Sequence, residues 1–146
     1  MKSKRNKLAT QIVPAIVAIV FLFLYNNYVD TGKNSQKTNN SVIEQLFKSR
    51  KSGQDVTISA EVIKTLLDDN DGSRHQRFIV KSGIHSVLIA HNIDIASRVP
   101  VGTGDFLEIK GVYEWNEKGG VIHWTHRDLN QKRPGGWIIY NNKKYH

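Results

Sequence analysis

The densest group of residues able to do chemistry is His123-Trp124-Thr125-His126-Arg127-Asp128. Histidine serves as a general base near neutral pH, and a nearby carboxylate can orient its imidazole ring. His126 and Asp128 are therefore a candidate catalytic pair. Arg127 stands beside them and could stabilise negative charge that develops on a phosphate.

The same segment contains the candidate metal ligands, His123 and His126. Their His-x-x-His spacing is compatible with a zinc site on a turn. On a flat strand, residues three apart point to opposite faces, so a joint site requires the strand to end or bulge at Thr125. His75 and His91 could add ligands if their strand ends converge there. The residue types assign no cofactor outright, and a divalent metal ion is the one candidate.

Aromatic and cationic residues also suggest a binding surface, because aromatic platforms beside cations are how many barrels hold single-stranded nucleic acid. The same chemistry suits sugars and anionic headgroups. The candidate ligand-binding residues are Arg77, Trp115, Trp124, Arg133 and Trp137. The structural alternative is that the histidines hydrogen-bond the backbone at the rim of the domain, while Trp124 and Trp137 fill its core.

The elements that would position these residues are strands, since apolar residues alternate with polar ones over most of the chain. The pattern predicts a short helix from Ser41 to a C-terminus before Gly53, and then strands with turns between them. An irregular connection covers Asn92 to Gly104, and Gly111 is predicted to mark a bulge. The predicted strands are Val56–Val62, Gln76–Val80, Ser86–Ala90, Leu107–Trp115 and Val121–Thr125, followed by a hairpin of Trp137–Tyr140 and Lys143–Tyr145.

This order and size predict a mainly β fold, a small OB-like five-stranded antiparallel barrel with a short preceding helix. An open antiparallel sheet or a sandwich-like roll remains the alternative, since an alternating pattern does not determine closure. No pattern in the sequence specifies an oligomeric state.

The N-terminal region predicts a transmembrane helix. Residues 1–7 carry four cations and form a basic cytoplasmic end, and residues 8–25 are an apolar transmembrane signal anchor. Eighteen residues suffice for a span of about 30 Å when flanking lysines extend toward the headgroups. Residues 26–40 are polar and predict a flexible tether, and residues 41–146 form the extracytoplasmic domain.

A cleaved secretory signal is the competing interpretation of this segment. The residues after Tyr25 contain no small-x-small pair for a signal peptidase, which favours the uncleaved anchor. Positive charge at the N-terminus keeps that end in the cytoplasm under either interpretation. The prediction is a single-pass protein of the cytoplasmic membrane, with the lipid bilayer as a partner and the domain outside, in the periplasm where an outer membrane exists.

Composition limits the function classes. The 146 residues include no cysteine, which excludes disulfides, thiolate metal sites and cysteine nucleophiles. The net charge is +8, but from Ser41 onward 15 Lys/Arg face 12 Asp/Glu, which leaves only +3. Overall basicity therefore favours nucleic acid only weakly, although the last 20 residues are distinctly basic.

The domain resembles a bacterial family of small exported proteins known only as a domain of unknown function, with a His-Trp-Thr-His and Gly-Trp signature. The resemblance spans Val56 to Tyr145. It implies an OB-like fold and carries no catalytic assignment. The matching segments are His75–Phe78, Ala90–Asp94, Gly111–Asn116, Gly119–His126 and Gly136–Ile138.

Three functions follow as expectations. The first is a membrane-tethered binding or interaction module, whose ligand is a polyanion such as nucleic acid or glycan. The second is a metal-assisted hydrolase of the phosphodiesterase or nuclease type, centred on His123, His126 and Asp128. The third is a structural component of the envelope whose partners are other proteins.

Overall fold

The computed structural model describes residues 17–26 and 42–146. The chain divides into two units, Met1–Ser35 and Gln36–His146. In the first unit, residues 17–26 form a helix, α1, whose large apolar side chains are 50% to 69% exposed. Most of the predicted basic end, anchor and tether (1–16 and 27–40) lies outside the described residues. Among the helices that are described, none is long and apolar enough to cross a membrane.

The second unit is built of seven strands that follow a short helix, α2, over 42–48. The mainly β prediction is confirmed. The predicted strands all exist, with ends that differ from the predicted ones by at most three residues, and the connection between Asn92 and Phe106 is irregular as expected. The strands are β1 (Gln54–Thr65), β2 (His75–Ser82), β3 (His85–Asn92), β4 (Phe106–Glu114), β5 (Val121–His123), β6 (Trp137–Tyr140) and β7 (Lys143–Tyr145).

Five of these strands close into a barrel in the order β1-β2-β3-β5-β4 and back to β1. The barrel is not antiparallel throughout, because β3 and β5 run parallel, with Leu88 opposite Val121. The prediction of an entirely antiparallel barrel is therefore wrong at this one pairing. The reason is one of parity: an odd number of strands with alternating directions cannot close without one parallel pair.

Closure depends on β1, which pairs with β4 from Gln54 to Glu61 and with β2 from Glu61 to Thr65. The register shifts between Val62 and Lys64, where β1 leaves one partner for the other. Such a bulge lets a strand bend at a barrel corner. The predicted bulge at Gly111 is wrong, since Gly111 pairs in unbroken register with Val56.

The core lies inside the barrel and is lined by the alternating apolar positions of every strand. Phe78, Ile89, Ile109 and Tyr113 are fully buried within it. Ile43 of α2 is also fully buried, so the helix packs one face against this core.

Helix α2 ends in a Schellman motif, in which Lys51 N–H donates to Leu46 O at 3.1 Å and Arg50 N–H donates to Phe47 O at 3.2 Å. The residue after the helix cap is Arg50, with a φ of 52°. Glycine usually occupies this position, because a side chain in the left-handed region costs about 1 kcal/mol. Arg50 therefore stores a small amount of backbone strain.

The C-terminal hairpin of β6 and β7 joins the sheet through β6, which pairs with β4. Asn141 and Asn142 connect its strands with φ values of 49° and 60°. Asparagine tolerates this conformation, and a two-residue turn of this kind matches the strand twist. The predicted closing hairpin is confirmed.

Candidate functional site

The candidate site is built on the loop of residues 124–136, which interrupts the fifth strand of the barrel. His123, at the end of β5, lies opposite Val112 of β4, and Trp137, at the start of β6, lies opposite Lys110. Since β5 and β6 run in the same direction along the same edge of β4, they are two halves of one strand line. The 13 residues between them form a loop, and the chain rejoins β4 only two residues from where it left, at Lys110 instead of Val112.

Two glycines make room for this departure. A Cβ on Gly111 would collide with the carbonyl oxygen of His123, and a Cβ on Gly136 would collide with that of Trp124. The base of the loop is closed where Gly136 N–H donates to His126 O at 2.8 Å. The absence of a side chain at Gly111 and at Gly136 therefore lets backbone segments approach each other closely where the loop starts and ends beside β4.

A buried hydrogen bond fixes the start of the loop inside the barrel. His91 on β3 and Thr125 are both fully buried, and His91 Nδ1 lies 2.8 Å from Thr125 Oγ1. His91 Nε2 lies 3.2 Å from Ser97 O, a carbonyl that can only accept. The ring is therefore protonated at Nε2, and the Thr125 hydroxyl donates to Nδ1. Burial lowers the pKa of His91 to about 4, so the ring is neutral near pH 7.

The loop presents Trp124 to solvent. Its side chain is 41% exposed and its φ is 53°, in the left-handed region. The alternative in which Trp124 fills the core is therefore wrong. The ring contacts His126, with centroids 5.5 Å apart, and His123, with centroids 6.2 Å apart. The guanidinium of Arg133 lies 5.6 Å from the indole centroid, as a cation–π pair.

Asp128 has a structural function in this loop. Its carboxylate accepts hydrogen bonds from the backbone N–H groups of Asn130, Lys132 and Arg133, at 2.8 to 3.0 Å. The Asn130 amide contributes most to lowering the pKa of the carboxyl, and the other two amides act in the same direction. A carboxylate held this way organises the turn at the tip of the loop.

The structure does not join Asp128 to the ring nitrogen that it was predicted to orient. His126 Nδ1–H donates instead to Arg127 O, at 2.8 Å. The Arg127 side chain is exposed beside them. The three candidate catalytic residues are thus neighbours in the loop, and no hydrogen bond couples the imidazole of His126 to the carboxylate of Asp128.

His123 lies on the outer surface of the barrel, with Nε2 at 3.6 Å from Glu114 Oε1, too long for a hydrogen bond. Burial lowers the pKa of His123, while Glu114 opposes the shift and Arg133 adds to it. Trp124 follows His123 with a positive φ, so the strand ends before Thr125, as a joint site with His126 requires. Within residues 17–26 and 42–146, no three His, Asp or Glu side chains come together as a ligand set for a metal ion.

The predicted ligand-binding residues fall into separate groups. Arg77 of β2 lies opposite Ala90 of β3. In the parallel register of β3 and β5, the residue level with Ala90 is His123. Arg77 Nε–H donates to Leu67 O at 3.0 Å. The outer face of β2, β3 and β5 therefore continues from Arg77 to the group around Trp124.

Trp137 and Trp115 lie elsewhere. Trp137 is the cross-strand neighbour of Lys110, and the Lys144 ammonium lies 5.5 Å from its ring centroid. Trp115 follows β4 and packs against Phe47 of α2, with centroids 6.4 Å apart. The structure thus joins Trp124 to Arg133 and places Trp115 in a different environment.

A small cavity of about 10 Å³ lies between the loop and the outer face of β1 and β4. This volume matches a single water molecule. Val112 points outward from β4, but the loop covers it, so it is only 5% exposed. The cavity is lined by Asp55, Lys110, Gly111, Val112, Trp124, His126, Asp128 and Arg133–Gly136.

Several residues that shape the site were not predicted as such. Lys110 lines the cavity, and Gly111 and Gly136 admit the loop. A glycine within an alternating strand and a glycine pair before Trp137 were the available signals, because both indicate close approach of backbone. His91 was considered as a metal ligand, whereas the structure uses it to hold Thr125.

The fold and this loop define a closed five-stranded barrel with an exposed aromatic and cationic group on a fixed loop. A family model, "Protein of unknown function (DUF3465)", matches residues 27–146. The chain belongs to this family, as its resemblance to a domain of unknown function predicted. A search of curated proteins finds no match.

The glycine contacts lead to a test of the loop. Gly136→Ala is expected to lower the free energy of unfolding by about 3 kcal/mol or more, because the new methyl group would overlap two backbone carbonyls. The measurement is denaturant unfolding. Gly102→Ala is the matched control, since its Cβ would come no nearer than 3.8 Å to another residue. The control should change stability by less than about 0.5 kcal/mol, and an equally mild effect of Gly136→Ala would contradict the close contact.

Burial of neutral His91 predicts how stability depends on pH. The unfolded chain protonates this residue near pH 6.5, and the folded chain does so only near pH 4. Below pH 6.5 the unfolded state therefore binds more protons, so stability falls as the pH falls from about 6.5 to about 4. The share of His91 in this loss is up to about 3 kcal/mol.

Unfolding of wild type and His91→Gln at pH 7, 5.5 and 4 isolates this contribution, because Gln can donate to Ser97 O without titrating. The variant should be less stable at pH 7 and should lose less stability on acidification. Equal losses in both proteins would show that His91 is not the titrating group.

Proposed function

We propose that the protein is a membrane-tethered extracytoplasmic binding module whose barrel is of the OB type. The strand order and the long β1 shared between two partners support the OB assignment. In OB barrels the face of strands 2 and 3 binds oligonucleotides and oligosaccharides. In this chain that face carries Arg77 and continues to His123 and Trp124.

The observation that carries this proposal is the exposure of Trp124. The indole is held outward, at a residue with strained backbone, by a loop whose base lies inside the barrel. Strain of this kind persists where the surrounding structure enforces it, and it concentrates at ligand sites. Arg133 beside the ring supplies a cation, so the pair suits a ligand with flat units and negative charge.

The charges of the loop itself favour an extended polyanion. Residues 124–136 include three exposed cations, Arg127, Lys132 and Arg133, and a single acid, Asp128, whose oxygens accept three backbone hydrogen bonds. The carboxylate therefore organises the loop that displays the cations. Single-stranded nucleic acid and acidic glycans share the flat, negatively charged units that such a surface would bind.

Binding of an oligonucleotide to the full chain in mild detergent tests the module. Trp124→Ala is expected to weaken binding of a 12-nucleotide single strand about tenfold, because stacking contributes on the order of 1–3 kcal/mol per base. An acidic oligosaccharide is titrated as the second polyanion. Arg133→Ala should weaken binding several-fold and reduce its salt dependence. Fluorescence anisotropy at several salt concentrations measures both effects.

Lys64→Ala is the control, since it removes an equal charge from an exposed position on β1, away from the loop. It should leave the affinity within twofold. If neither polyanion binds with salt sensitivity, the module is the wrong function, and the envelope scaffold with protein partners becomes the better interpretation. A preference of one polyanion over the other identifies the ligand class.

The tether rests on residues 8–25 as a transmembrane anchor. Its described part, α1, is helical and exposes apolar side chains, which suits contact with lipid. The basic residues 1–7 favour a cytoplasmic N-terminus. A reporter active only outside the cytoplasm, fused after His146, should therefore be active, and the chain should stay with the membrane after a salt wash.

Two outcomes of that experiment contradict the anchor. Reporter activity confined to the cytosol reverses the orientation. Processing at a site before Asn40 replaces the tethered protein with a secreted one.

The metal-assisted hydrolase remains a prediction. Its decisive measurement is metal content of the full chain, purified without an affinity tag, after exposure to zinc or manganese. Stoichiometric metal that is lost in His126→Ala would favour the hydrolase, and Arg127 would then be the residue to test for phosphate stabilisation.

A further inference from the structure

A second surface of the barrel combines an aromatic floor with cations. The rings of Phe47 and Trp115 lie with centroids 6.4 Å apart and planes inclined by 34°. Together with Lys48, Arg50 and Glu117 they line an open groove of about 410 Å³. This volume is in the range of small-molecule sites. None of these residues lines the cavity beneath the loop of residues 124–136.

The floor of the groove is held in place by hydrogen bonds from both sides. The indole Nε1–H of Trp115 donates to Phe47 O at 3.1 Å, and the backbone N–H of Trp115 donates to Ser52 Oγ at 2.9 Å. The ring is therefore joined to the C-terminal end of α2 and to the segment that leads into β1. A platform fixed in this way loses little conformational entropy when a ligand stacks on it.

Arg50 is the unusual residue of the groove. It occupies the left-handed position that ends α2, where glycine would be favoured, and its guanidinium lies 5.3 Å from the centroid of the Trp115 ring. The strain is unnecessary for ending the helix, since glycine would end it better. It does place a planar cation over the Trp115 ring, and backbone strain of this kind concentrates at ligand sites.

We propose that this groove binds one ring of an anionic sugar. The flat face of the sugar ring replaces the Arg50 guanidinium over the Trp115 ring, and the guanidinium turns to pair with the sugar carboxylate through its parallel donors. The carboxylate of Glu117 accepts a hydrogen bond from a ring hydroxyl. The site is independent of Trp124 and of the function proposed for that loop.

The charges of the groove distinguish this ligand from other classes. Among the residues that line the groove, Lys48 pairs with Glu44 at 2.6 Å and Glu117 adds a carboxylate, so Arg50 is the one lining cation that has no ion pair. A run of phosphates would meet these two carboxylates and be repelled, whereas a ring with a single carboxylate needs only Arg50. A neutral sugar would leave the guanidinium without an acidic partner.

The test uses the full chain in mild detergent with Trp124→Phe and Trp137→Phe introduced, so that Trp115 is its only tryptophan. The measurement is the fluorescence of Trp115. Titration with a tetrasaccharide of glucuronic acid should change its fluorescence in a saturable way. A glucose tetrasaccharide should bind at least tenfold more weakly. Adding Arg50→Gly should weaken glucuronate binding at least tenfold, while the Tm stays the same or rises, because glycine suits the helix end.

Lys51→Ala is the matched control, since it removes the neighbouring exposed cation and should change binding less than twofold. The proposal is overturned by any of three results: no saturable response to glucuronate, equal affinity for the neutral sugar, or unchanged binding in Arg50→Gly. Oligothymidylate binding that Arg50→Gly abolishes would also overturn it. The effect of Trp124→Ala on oligonucleotide binding separates a failure here from a failure of the function proposed above.

Discussion

The structure around the candidate site depends on one buried hydrogen bond, between Thr125 and His91. At Thr125 the chain leaves the line of the fifth strand and enters the barrel, where an unpaired hydroxyl would cost about 1–3 kcal/mol. His91 accepts from that hydroxyl and donates to Ser97 O, so both ring nitrogens are used. One side chain therefore connects β3, the loop of residues 124–136 and the connection that follows β3.

This connection is held by a second buried polar side chain. The Gln76 amide donates to Val99 O at 2.7 Å and accepts from Val99 N–H at 2.9 Å. An irregular segment can cover the end of a barrel only if its backbone groups find partners. Gln76 and His91 provide those partners, and their burial among apolar residues makes the hydrogen bonds specific. The buried polar residues near the site are thus mainly structural.

The alternation of apolar and polar residues predicted the strands. Features that depend on contacts between distant segments could not be predicted from it. The alternation over Val56–Val62 and Leu107–Trp115 identified β1 and β4, because each has one face in the core. The same alternation predicted a fifth strand that ends at Thr125, whereas β5 ends at His123. Trp124 and Thr125 look like strand residues, since nothing local shows that a positive φ turns the chain inward. The groove of Phe47, Arg50 and Trp115 escaped detection because it joins residues more than 60 positions apart.

Among the described residues, Arg50 and Trp124 differ from the other non-glycine residues with positive φ. Asn141 and Asn142 form a hairpin turn that favours asparagine, and Gln131 lies in the turn that Asp128 organises. Arg50 occupies the left-handed position of the Schellman motif that ends α2, where glycine is the usual residue, and Trp124 directly follows β5. Each is one member of a cation–aromatic pair, as the cation in one case and the ring in the other. Because a pair of this kind contributes only about 0.5–1 kcal/mol at an exposed site, it roughly offsets the strain. Stability alone therefore does not explain why either residue is present, and ligand binding is the explanation that we propose for both positions.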